Sequence, residues 1–264
     1  MNRKSADLAA TVVAQRRVLY RRPQALTDTP THYCPGCGHG LVHKLIAEVL
    51  DELGIRERTI GVAPVGCAVL AYDYLLCDMT EAAHGRTPAV ATGIKRYLPD
   101  RIVFSYQGDG DLAAIGMAET VHAANRGENI TVVFVNNTVY GMTGGQMAPT
   151  TLIGQKTATT PCGRDRVSAG PPIRICELLN TLDGPYYIER TALDGPTGVR
   201  RTRRALLNAF QAQVAGKGYS LVEILSPCPT YLRRSPVDAL RFVRESMTPV
   251  FPVRVFRREG KPVP

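Results

Sequence analysis

The fold is decided by residues 101–137, RIVFSYQGDGDLAAIGMAETVHAANRGENITVVFVNN. Within this stretch, Arg101–Tyr106 predicts a buried strand, and the segment from about Leu112 to Ala124 predicts a helix. Ile130–Val135 predicts a second strand that is apolar throughout, as strands of a parallel sheet are when both faces are covered. A strand, a helix and a strand in this order form a βαβ unit, so the sequence predicts a parallel sheet.

The same alternation extends to both sides of this unit. Helices are predicted at Leu41–Leu53, Thr87–Leu98, Ile175–Leu182 and Thr197–Val214, and strands at Thr59–Val65, Tyr186–Thr191 and Tyr219–Leu225. Gly54 marks the end of the first helix, and Thr87 with Pro88 predicts the N-cap and first turn of the second. The long polar segment from Thr138 to about Pro172 predicts a functional loop. We therefore expect an α/β fold with a doubly wound, mostly parallel sheet.

Positive charge is concentrated at the two ends of the chain. The formal net charge is +9 over 264 residues; residues 1–30 carry +4, residues 231–264 carry +5, and residues 31–230 are neutral overall. We expect a basic N-terminal extension (1–30, with a helix around Leu8–Val18), one domain (31–230) and a basic C-terminal extension (231–264). Two basic ends on a neutral body indicate a partner protein. Nucleic acid is disfavoured, because aromatic residues are few and no binding module is present.

The cellular compartment is suggested by what the sequence contains and lacks. No run of about 18 apolar residues could span a bilayer, and the polar N-terminus has no apolar segment before a cleavage site. We therefore expect a cytoplasmic protein without membrane contact. Its seven cysteines are many for that compartment, where spaced cysteines more often bind metal or react than form disulfides.

The turn Gly108-Asp109-Gly110 lies between the first predicted strand and its helix. Helix N-termini at the carboxyl ends of parallel strands favour phosphate, and glycines allow close approach of the backbone. The next strand ends in Asn136-Asn137, so Asp109 and Asn137 should lie side by side at one edge of the sheet. A carboxylate, an amide oxygen, a backbone carbonyl and two phosphate oxygens make a suitable Mg²⁺ shell. The sequence therefore predicts a diphosphate–metal site.

The two motifs, Gly108-Asp109-Gly110 and Asn136-Asn137, resemble the thiamine-diphosphate signature shared by many enzymes that use this cofactor. By this resemblance Asp109 and Asn137 would bind Mg²⁺ through their side chains, and Val139 would bind it through its carbonyl oxygen. The signature covers about 30 residues, and it implies the cofactor rather than the reaction.

Four cysteines occupy turns at the ends of predicted elements. Cys34 and Cys37 form a C-x-x-C pair, Cys67 follows one strand, and Cys228 follows another. Three interpretations are open on spacing alone: structural zinc bound by four cysteines, a redox pair at Cys34 and Cys37, and a [4Fe–4S] cluster. Parallel strands can bring such distant turns to one sheet edge, which is also where the diphosphate site is predicted.

A family resemblance favours the cluster. The chain from about Thr31 to Cys228 resembles the β subunits of 2-oxoacid:ferredoxin oxidoreductases, through motifs in one order: Cys34-Pro-Gly-Cys37-Gly-His, Gly66-Cys67, His84-Gly85-Arg86, Gly-Asp-Gly and Tyr140-Gly141-Met142-Thr143-Gly144-Gly145-Gln146. The resemblance implies one [4Fe–4S] cluster on Cys34, Cys37, Cys67 and Cys228. It also implies that His84 and Cys67 act in catalysis. The implied cofactor-binding residues are Gly66, Cys67, His84, Gly108, Asp109, Gly110, Asp111, Asn137, Val139, Gly141, Met142 and Thr143.

The resemblance further implies a reaction and partners. The reaction would be oxidative decarboxylation of a 2-oxoacid to acyl-CoA and CO₂, with electrons passing singly through the cluster to ferredoxin. Leu70 and Met142 are apolar and slightly favour a branched-chain 2-oxoacid over 2-oxoglutarate. We find no second set of βα units, so a partner α subunit should carry the pyrimidine-binding domain. Small γ and ferredoxin-like δ subunits are also expected, and the basic ends are hypothesised to help dock an acidic ferredoxin or a ferredoxin-like subunit.

Two alternative functions remain at this point. A non-redox thiamine-diphosphate lyase or decarboxylase subunit would need the Gly-Asp-Gly site without the four cysteines. A zinc-stabilised, non-catalytic assembly subunit would need the cysteines without the cofactor. Cys77, Cys162 and Cys176 have no counterpart in the resemblance, and we interpret them as small buried side chains.

Overall fold

The computed structural model describes Val18 and residues 20–263. Its strands are β1 Thr59–Ala63, β2 Asp78–Glu81, β3 Ile102–Gly108, β4 Thr131–Asn136, β5 Val139–Tyr140, β6 Gln146–Met147, β7 Pro185–Ala192, β8 Tyr219–Leu225, β9 Val255–Arg258 and β10 Lys261–Pro262. Its α-helices are His39–Leu53, Thr87–Tyr97, Met117–Asn125, Arg166–Ala169, Ile175–Leu179, Pro196–Val214, Pro229–Leu232 and Pro236–Phe242. Short 3₁₀ turns occur at Arg56–Arg58 and Val69–Asp73, and π-helical turns at Asp111–Ile115 and Val243–Met247.

Eight strands form one sheet in the order β10-β9-β7-β8-β4-β3-β1-β2. The six strands from β7 to β2 in that order are parallel, while β9 and β10 are added antiparallel at one edge. The predicted βαβ unit is confirmed, because β3 and β4 are neighbours with Gly108 opposite Val135. The sheet is therefore the doubly wound, mostly parallel sheet expected from the sequence.

Both faces of the sheet are covered by helices. Alternate residues of β3 and β4 enter two different apolar clusters: Phe104 and Val133 join one, and Val103 and Val132 join the other. The first cluster packs under the helices His39–Leu53 and Pro196–Val214, and the second under Thr87–Tyr97, Met117–Asn125 and Ile175–Leu179. Because side chains alternate between the faces of a strand, a strand covered on both sides must be apolar throughout.

Most of the predicted elements are confirmed, but two local predictions are wrong. Arg86 rather than Thr87 is the N-cap of the second helix, and the Thr87 hydroxyl donates to Asp111 Oδ2 at 3.4 Å. The helix expected from Leu112 to Ala124 is interrupted at Gly116 by the π-helical turn. A Cβ on Gly116 would lie 2.5 Å from the carbonyl oxygen of Gly85, so the two backbones pack in direct contact there.

The described parts of the predicted extensions pack on the body of the fold. Ala25 is fully buried, and Leu26 forms a bridge with Leu75. Near the other end, β9 pairs with β7, and Phe251 and Phe256 are buried. The domain boundaries at residues 30 and 230 stay predictions, and the helix around Leu8–Val18 lies outside the described residues apart from Val18. Among the helices that the structure describes, none has the length and apolar character needed to cross a membrane.

Candidate active site

A cavity opens at the carboxyl ends of β1, β3 and β4, where turns from several parallel strands meet. All residues that the sequence predicted to bind cofactor line it: Gly66, Cys67, His84, Gly108, Asp109, Gly110, Asp111, Asn137, Val139, Gly141, Met142 and Thr143. The lining also includes His39, Pro64, Val65, Ala68 and Tyr140, whereas Leu70 is not part of it. A larger groove of about 700 Å³ lies near Gln24 and Asp51 and contains none of the predicted residues. The predicted site is thus assembled at the expected edge of the sheet.

Asp109 is the buried acid of this cavity. Its side chain accepts hydrogen bonds from the Gly110 N–H at 3.0 Å and the Thr150 hydroxyl at 2.9 Å. Burial raises the pKa of the Asp109 carboxyl to about 7, although these hydrogen bonds and the nearby backbone of Asn137 and Thr138 oppose the rise. A carboxylate in this environment is stabilised by a bound cation, which fits a metal ligand.

Asn137 follows β4 in a turn that is held from several sides. Its side-chain oxygen accepts a hydrogen bond from the Val139 N–H at 3.2 Å. The next residue, Thr138, has a positive φ of 67° and donates through its hydroxyl to the Asn137 carbonyl at 2.6 Å. Behind the turn, Asn136 Nδ2 donates to the buried Glu223 Oε1 at 2.8 Å. The turn therefore fixes the orientation of Asn137 and Val139 beside Asp109.

The glycines of the cavity leave room for a ligand. A Cβ on Gly66 or Gly108 would meet no atom within 4 Å, although both residues line the cavity. A Cβ on Gly110, in contrast, would collide with the ring of Tyr140. Open backbone next to a buried carboxylate and an amide oxygen is a donor set that fits a diphosphate and its Mg²⁺.

His84 and Asp111 form a hydrogen-bonded pair on the same wall. His84 Nδ1 lies 2.8 Å from Asp111 Oδ1, which also accepts from the Gly85 N–H at 2.8 Å. Gln107 Nε2 donates to Asp111 Oδ2 at 2.8 Å. The Asp111 side chain is 1% exposed, and that of His84 is 30% exposed. Asp111 therefore holds the imidazole by one nitrogen and leaves Nε2 for a ligand.

The loop that closes one side of the cavity is pinned by a buried arginine. Arg164 is 4% exposed, and its guanidinium donates to six backbone carbonyls, those of Ala148, Pro149, Thr151, Ala169, Gly170 and Pro171. Thr150, which bonds Asp109, lies within this segment. Neither Arg164 nor Thr150 belongs to a sequence motif, and their positions depend on the path of the long loop, so no sequence signal indicated their role.

The four cysteines predicted as cluster ligands lie close together beside the cavity. A Cβ on Gly141 would lie 3.0 Å from Cys67 Sγ and 3.8 Å from Cys228 Sγ. Cys34 and Cys37 are joined in a turn by a 2.9 Å hydrogen bond from the Cys37 N–H to the Cys34 carbonyl. All seven cysteines of the chain are free thiols. Of the three that were interpreted from the sequence as buried, Cys176 is buried and Cys77 is partly buried, but Cys162 is exposed, so the interpretation is wrong for Cys162. Within the described residues, no three His, Cys, Asp or Glu side chains form a group that would hold one metal ion.

The thiols influence one another electrostatically. Burial raises the pKa of Cys67 to about 12, and electrostatic repulsion from the nearby thiols of Cys37, Cys228 and Cys34 adds to the rise. Burial also raises the pKa of Cys37 to about 11, which a hydrogen bond from the His39 backbone opposes. The pKa of Cys228 is raised by burial and lowered by a hydrogen bond from the Tyr231 backbone. Buried thiols that already accept backbone hydrogen bonds suit iron, because bound iron would stabilise their thiolates.

A cluster of buried histidines and tyrosines adjoins the cysteines. His39 Nδ1 lies 2.8 Å from the Tyr106 hydroxyl, and His43 Nε2 lies 3.1 Å from the Tyr33 hydroxyl. Burial lowers the pKa of His39 to about 4 and that of His43 to about 3, so both rings are neutral at pH 7. His32 Nε2 lies 2.9 Å from the Cys67 carbonyl oxygen, a contact that no sequence motif indicated.

Comparison with known proteins identifies the family. The model of the family described as thiamine pyrophosphate enzyme, C-terminal TPP binding domain, matches residues 64–224. The chain is 57% identical over 239 residues to the ketoisovalerate oxidoreductase subunit VorA of Methanothermobacter thermautotrophicus, covering 90% of this chain and 50% of VorA. It is 36% identical over 223 residues to the 2-oxoglutarate synthase subunit KorB of Methanocaldococcus jannaschii, covering 82% of this chain and 78% of KorB. The chain thus spans about half the length of the VorA relatives it matches.

The fold has a solved counterpart. A 2-oxoglutarate:ferredoxin oxidoreductase from Magnetococcus marinus, solved with 2-oxoglutarate, coenzyme A and succinyl-CoA bound, matches with a TM-score of 0.73. The match covers 95% of this chain and 88% of that chain at 23% identity, and it confirms the fold. From the matched domain and its relatives, the chain belongs to the family of thiamine-pyrophosphate-binding subunits of 2-oxoacid:ferredoxin oxidoreductases.

Proposed function

We propose that this chain is the subunit of an enzyme that oxidatively decarboxylates a 2-oxoacid to acyl-CoA and CO₂ and passes the electrons singly to ferredoxin. One observation carries the proposal: Cys67 belongs to the four-cysteine group and also lines the cavity that contains Asp109. A diphosphate–metal site and a cysteine cluster that share a wall are what a decarboxylation coupled to one-electron transfer requires. Neither the non-redox lyase nor the zinc assembly subunit needs both.

The cavity would hold thiamine diphosphate with Mg²⁺. Asp109 and Asn137 would bind the ion through side-chain oxygens and Val139 through its carbonyl, while Gly66 and Gly108 leave space for the cofactor. When bound, thiamine diphosphate supplies an electron sink for the negative charge that develops as the 2-oxoacid loses CO₂.

His84 would act at the reacting end of this cavity. Because Asp111 accepts the Nδ1 proton, the lone pair of the neutral ring is at Nε2. That nitrogen can bind the substrate or accept a proton. Asp111 acts through His84 and is a positioning residue.

The cysteines would hold one [4Fe–4S] cluster. Cys34, Cys37, Cys67 and Cys228 supply four thiolates, and the backbone N–H groups of His39 and Tyr231 donate to two of the sulfurs. Hydrogen bonds to ligand sulfurs stabilise the more negative, reduced state and so raise the reduction potential. A cluster held beside Cys67 would supply a one-electron acceptor at the wall of the cavity.

The substrate we propose is a branched-chain 2-oxoacid. The relatives named as ketoisovalerate oxidoreductase subunits are 57% and 56% identical to this chain, against 36% for a 2-oxoglutarate synthase subunit. Met142 lines the cavity with an apolar, 56% exposed side chain, which suits an aliphatic substrate better than a second carboxylate. The ratio of kcat/KM for 2-oxoisovalerate and 2-oxoglutarate tests this: a preference for 2-oxoglutarate would contradict it.

Other subunits complete the enzyme in this proposal. An α subunit would carry the pyrimidine-binding domain, with smaller γ and ferredoxin-like δ subunits and coenzyme A as acyl acceptor. We place the reaction in the cytoplasm, where free thiols stay reduced. Co-expression with neighbouring genes, followed by anaerobic assay of 2-oxoacid-dependent and CoA-dependent reduction of methyl viologen, tests the function. Decarboxylation without dye reduction would favour the non-redox lyase, and an inactive complex containing zinc would favour the assembly subunit.

A further inference from the structure

The four cysteines that would bind the cluster differ in their access to solvent. Cys34 is exposed, Cys37 and Cys67 are partly buried, and Cys228 is buried. Pro35 and Gly36, which follow Cys34, are also exposed. Given the cluster of the proposed function, on which this inference rests, Cys34 is the ligand closest to a partner in solution.

An apolar surface adjoins the Cys34 loop. Gly36 lies directly against the first turn of the helix Pro236–Phe242, where a Cβ on Gly36 would be 2.6 Å from Pro236 Cβ. Between the loop and this helix is a shallow pocket of about 260 Å³ whose lining includes Cys37, Leu193, Val199, Pro236 and Leu240. Val237 beside it is 67% exposed. The loop thus sits at the rim of an accessible apolar patch.

Four exposed arginines lie on or next to the segments that form this patch. Arg200, Arg233, Arg234 and Arg244 are exposed, and none of them has a carboxylate within ion-pairing distance among the residues that the structure describes. Arg200 follows Val199 of the pocket, and Arg233 ends the short helix that begins after Cys228.

Two of these arginines are held in place. The guanidinium of Arg234 lies 5.3 Å from the centre of the Phe242 ring, and Arg244 Nη2 donates to the Asp194 carbonyl at 2.6 Å. The patch therefore combines an apolar centre with a fixed positive rim, the arrangement that steers a negatively charged protein to its site.

We propose that this surface docks the ferredoxin of the proposed function, an acidic protein that carries one electron at a time and is distinct from the ferredoxin-like δ subunit. We call this surface the arginine face; its residues are Cys34–Gly36, Pro236, Val237, Arg200, Arg233, Arg234 and Arg244. Its occupant must be acidic to match the four arginines, and it must bring its redox group to Cys34, the exposed ligand.

The positive charge of the C-terminal region is divided by the fold. Arg233, Arg234 and Arg244 belong to the arginine face. Arg258 and Lys261 are paired on the β9–β10 hairpin. The Gly260 N–H of that hairpin donates a hydrogen bond to the Tyr186 carbonyl at the amino end of β7. Leu193 of the pocket follows the carboxyl end of β7. The hairpin therefore lies at the opposite edge of the sheet, and it provides an internal control with the same charge.

The test compares two double charge reversals in the whole enzyme, R200E/R233E on the arginine face and R258E/K261E on the hairpin. A purified acidic ferredoxin is the carrier, and methyl viologen is the small acceptor. At low salt we expect R200E/R233E to raise the KM and the Kd for ferredoxin by about tenfold or more, since steering changes association by factors of that order. Turnover with methyl viologen and iron content should match wild type, and the defect should shrink as salt screens the charges. R258E/K261E should bind ferredoxin like wild type.

The Kd is measured by surface plasmon resonance with oxidised enzyme and oxidised ferredoxin, so it reports binding independently of turnover. Equal losses of ferredoxin affinity in both variants, or none in R200E/R233E, would overturn the arginine face as the docking site. An enzyme whose wild type reduces neither acceptor would instead overturn the proposed function, so the two failures are distinct.

Discussion

Replacing Asp109 with asparagine should separate the stability of the cofactor-free protein from its ability to bind cofactor. Burial raises the pKa of Asp109 from 3.8 to about 7, a change of roughly three units. Each unit is worth about 1.4 kcal/mol, so ionising Asp109 in the folded protein costs about 4 kcal/mol once the pH exceeds 7. The sign follows from the raised value: this contribution to stability is fully present below about pH 4 and is lost as the pH rises through 7. Asparagine cannot ionise and avoids the loss.

The assay is thermal unfolding of the cofactor-stripped protein at pH 5 and pH 8, with and without thiamine diphosphate and Mg²⁺. For a chain of this size about 1 kcal/mol changes Tm by roughly 2–4 °C. D109N should therefore raise the Tm at pH 8 by at least about 5 °C, and by less at pH 5. Saturating cofactor at 100 times its Kd should stabilise the wild type by about 2.7 kcal/mol. It should give D109N little or no stabilisation, because a neutral amide replaces the carboxylate charge that attracts Mg²⁺.

Asp111 is the matched control, since it is equally buried and lies two residues away. Its carboxylate accepts hydrogen bonds from the Gly85 N–H, Gln107 and Thr87 and lies 2.8 Å from His84 Nδ1. D111N should lower the Tm at both pH values, because an amide nitrogen cannot accept these bonds. A D109N protein that unfolds at a lower temperature than wild type at pH 8 would show that ionised Asp109 does not destabilise the fold. A D109N protein that the cofactor still stabilises would show that Asp109 is not needed to bind the metal.

Three further predictions concern substitutions of glycine, cysteine and arginine residues. G108A should fold like wild type and weaken thiamine diphosphate binding, because its methyl group enters the open cavity. G110A should lower the Tm, because its methyl group collides with Tyr140. The Tm and the cofactor affinity of both variants are measured, and two variants that behave alike would contradict this prediction. C37S should lose most of the iron found in wild type, while C77S, which alters a thiol 3.7 Å from Met79 Sδ, should keep it, as measured by iron assay. R190M should cost about 3–5 kcal/mol in urea unfolding, because the fully buried Glu223 would lose its arginine partner; a loss under 1 kcal/mol would contradict this prediction.

The sheet and its cavity were predictable because their signals are local. The apolar run of β4 and the helical periodicity ended by Gly54 each depend on a few consecutive residues, and Gly54 adopts the expected left-handed conformation with a φ of 61°. Parallel pairing then places the carboxyl ends of the six parallel strands at one edge. That geometry alone brings Asp109 and Asn137 together, so the prediction of a diphosphate–metal site depends only on short-range patterns.

The remaining features depend on distant parts of the chain. β9 contains Arg257, whose guanidinium is buried against the Asn180 carbonyl at 2.8 Å, and a charged strand of four residues gives no sequence signal. The Thr150 hydroxyl donates to Asp109 only because Arg164 holds the long loop in place through hydrogen bonds to six of its backbone carbonyls. The break at Gly116 reflects contact with Gly85, which lies 31 positions earlier in the chain. In each case the deciding partner is a backbone group, and the sequence does not encode its position locally.

The most direct test of the account is the composition of the enzyme after anaerobic purification with its partner subunits. Iron, acid-labile sulfide, zinc and thiamine diphosphate are measured on the same sample, with C37S and D109N beside the wild type. A single cubane cluster bound by this chain predicts about four irons and four sulfides per chain, together with about one thiamine diphosphate. D109N should lose the thiamine diphosphate and keep the iron, and C37S should lose the iron. Zinc in place of iron, or iron that is unchanged in C37S, would contradict the claim that one sheet edge carries both a thiamine-diphosphate site and an iron–sulfur cluster.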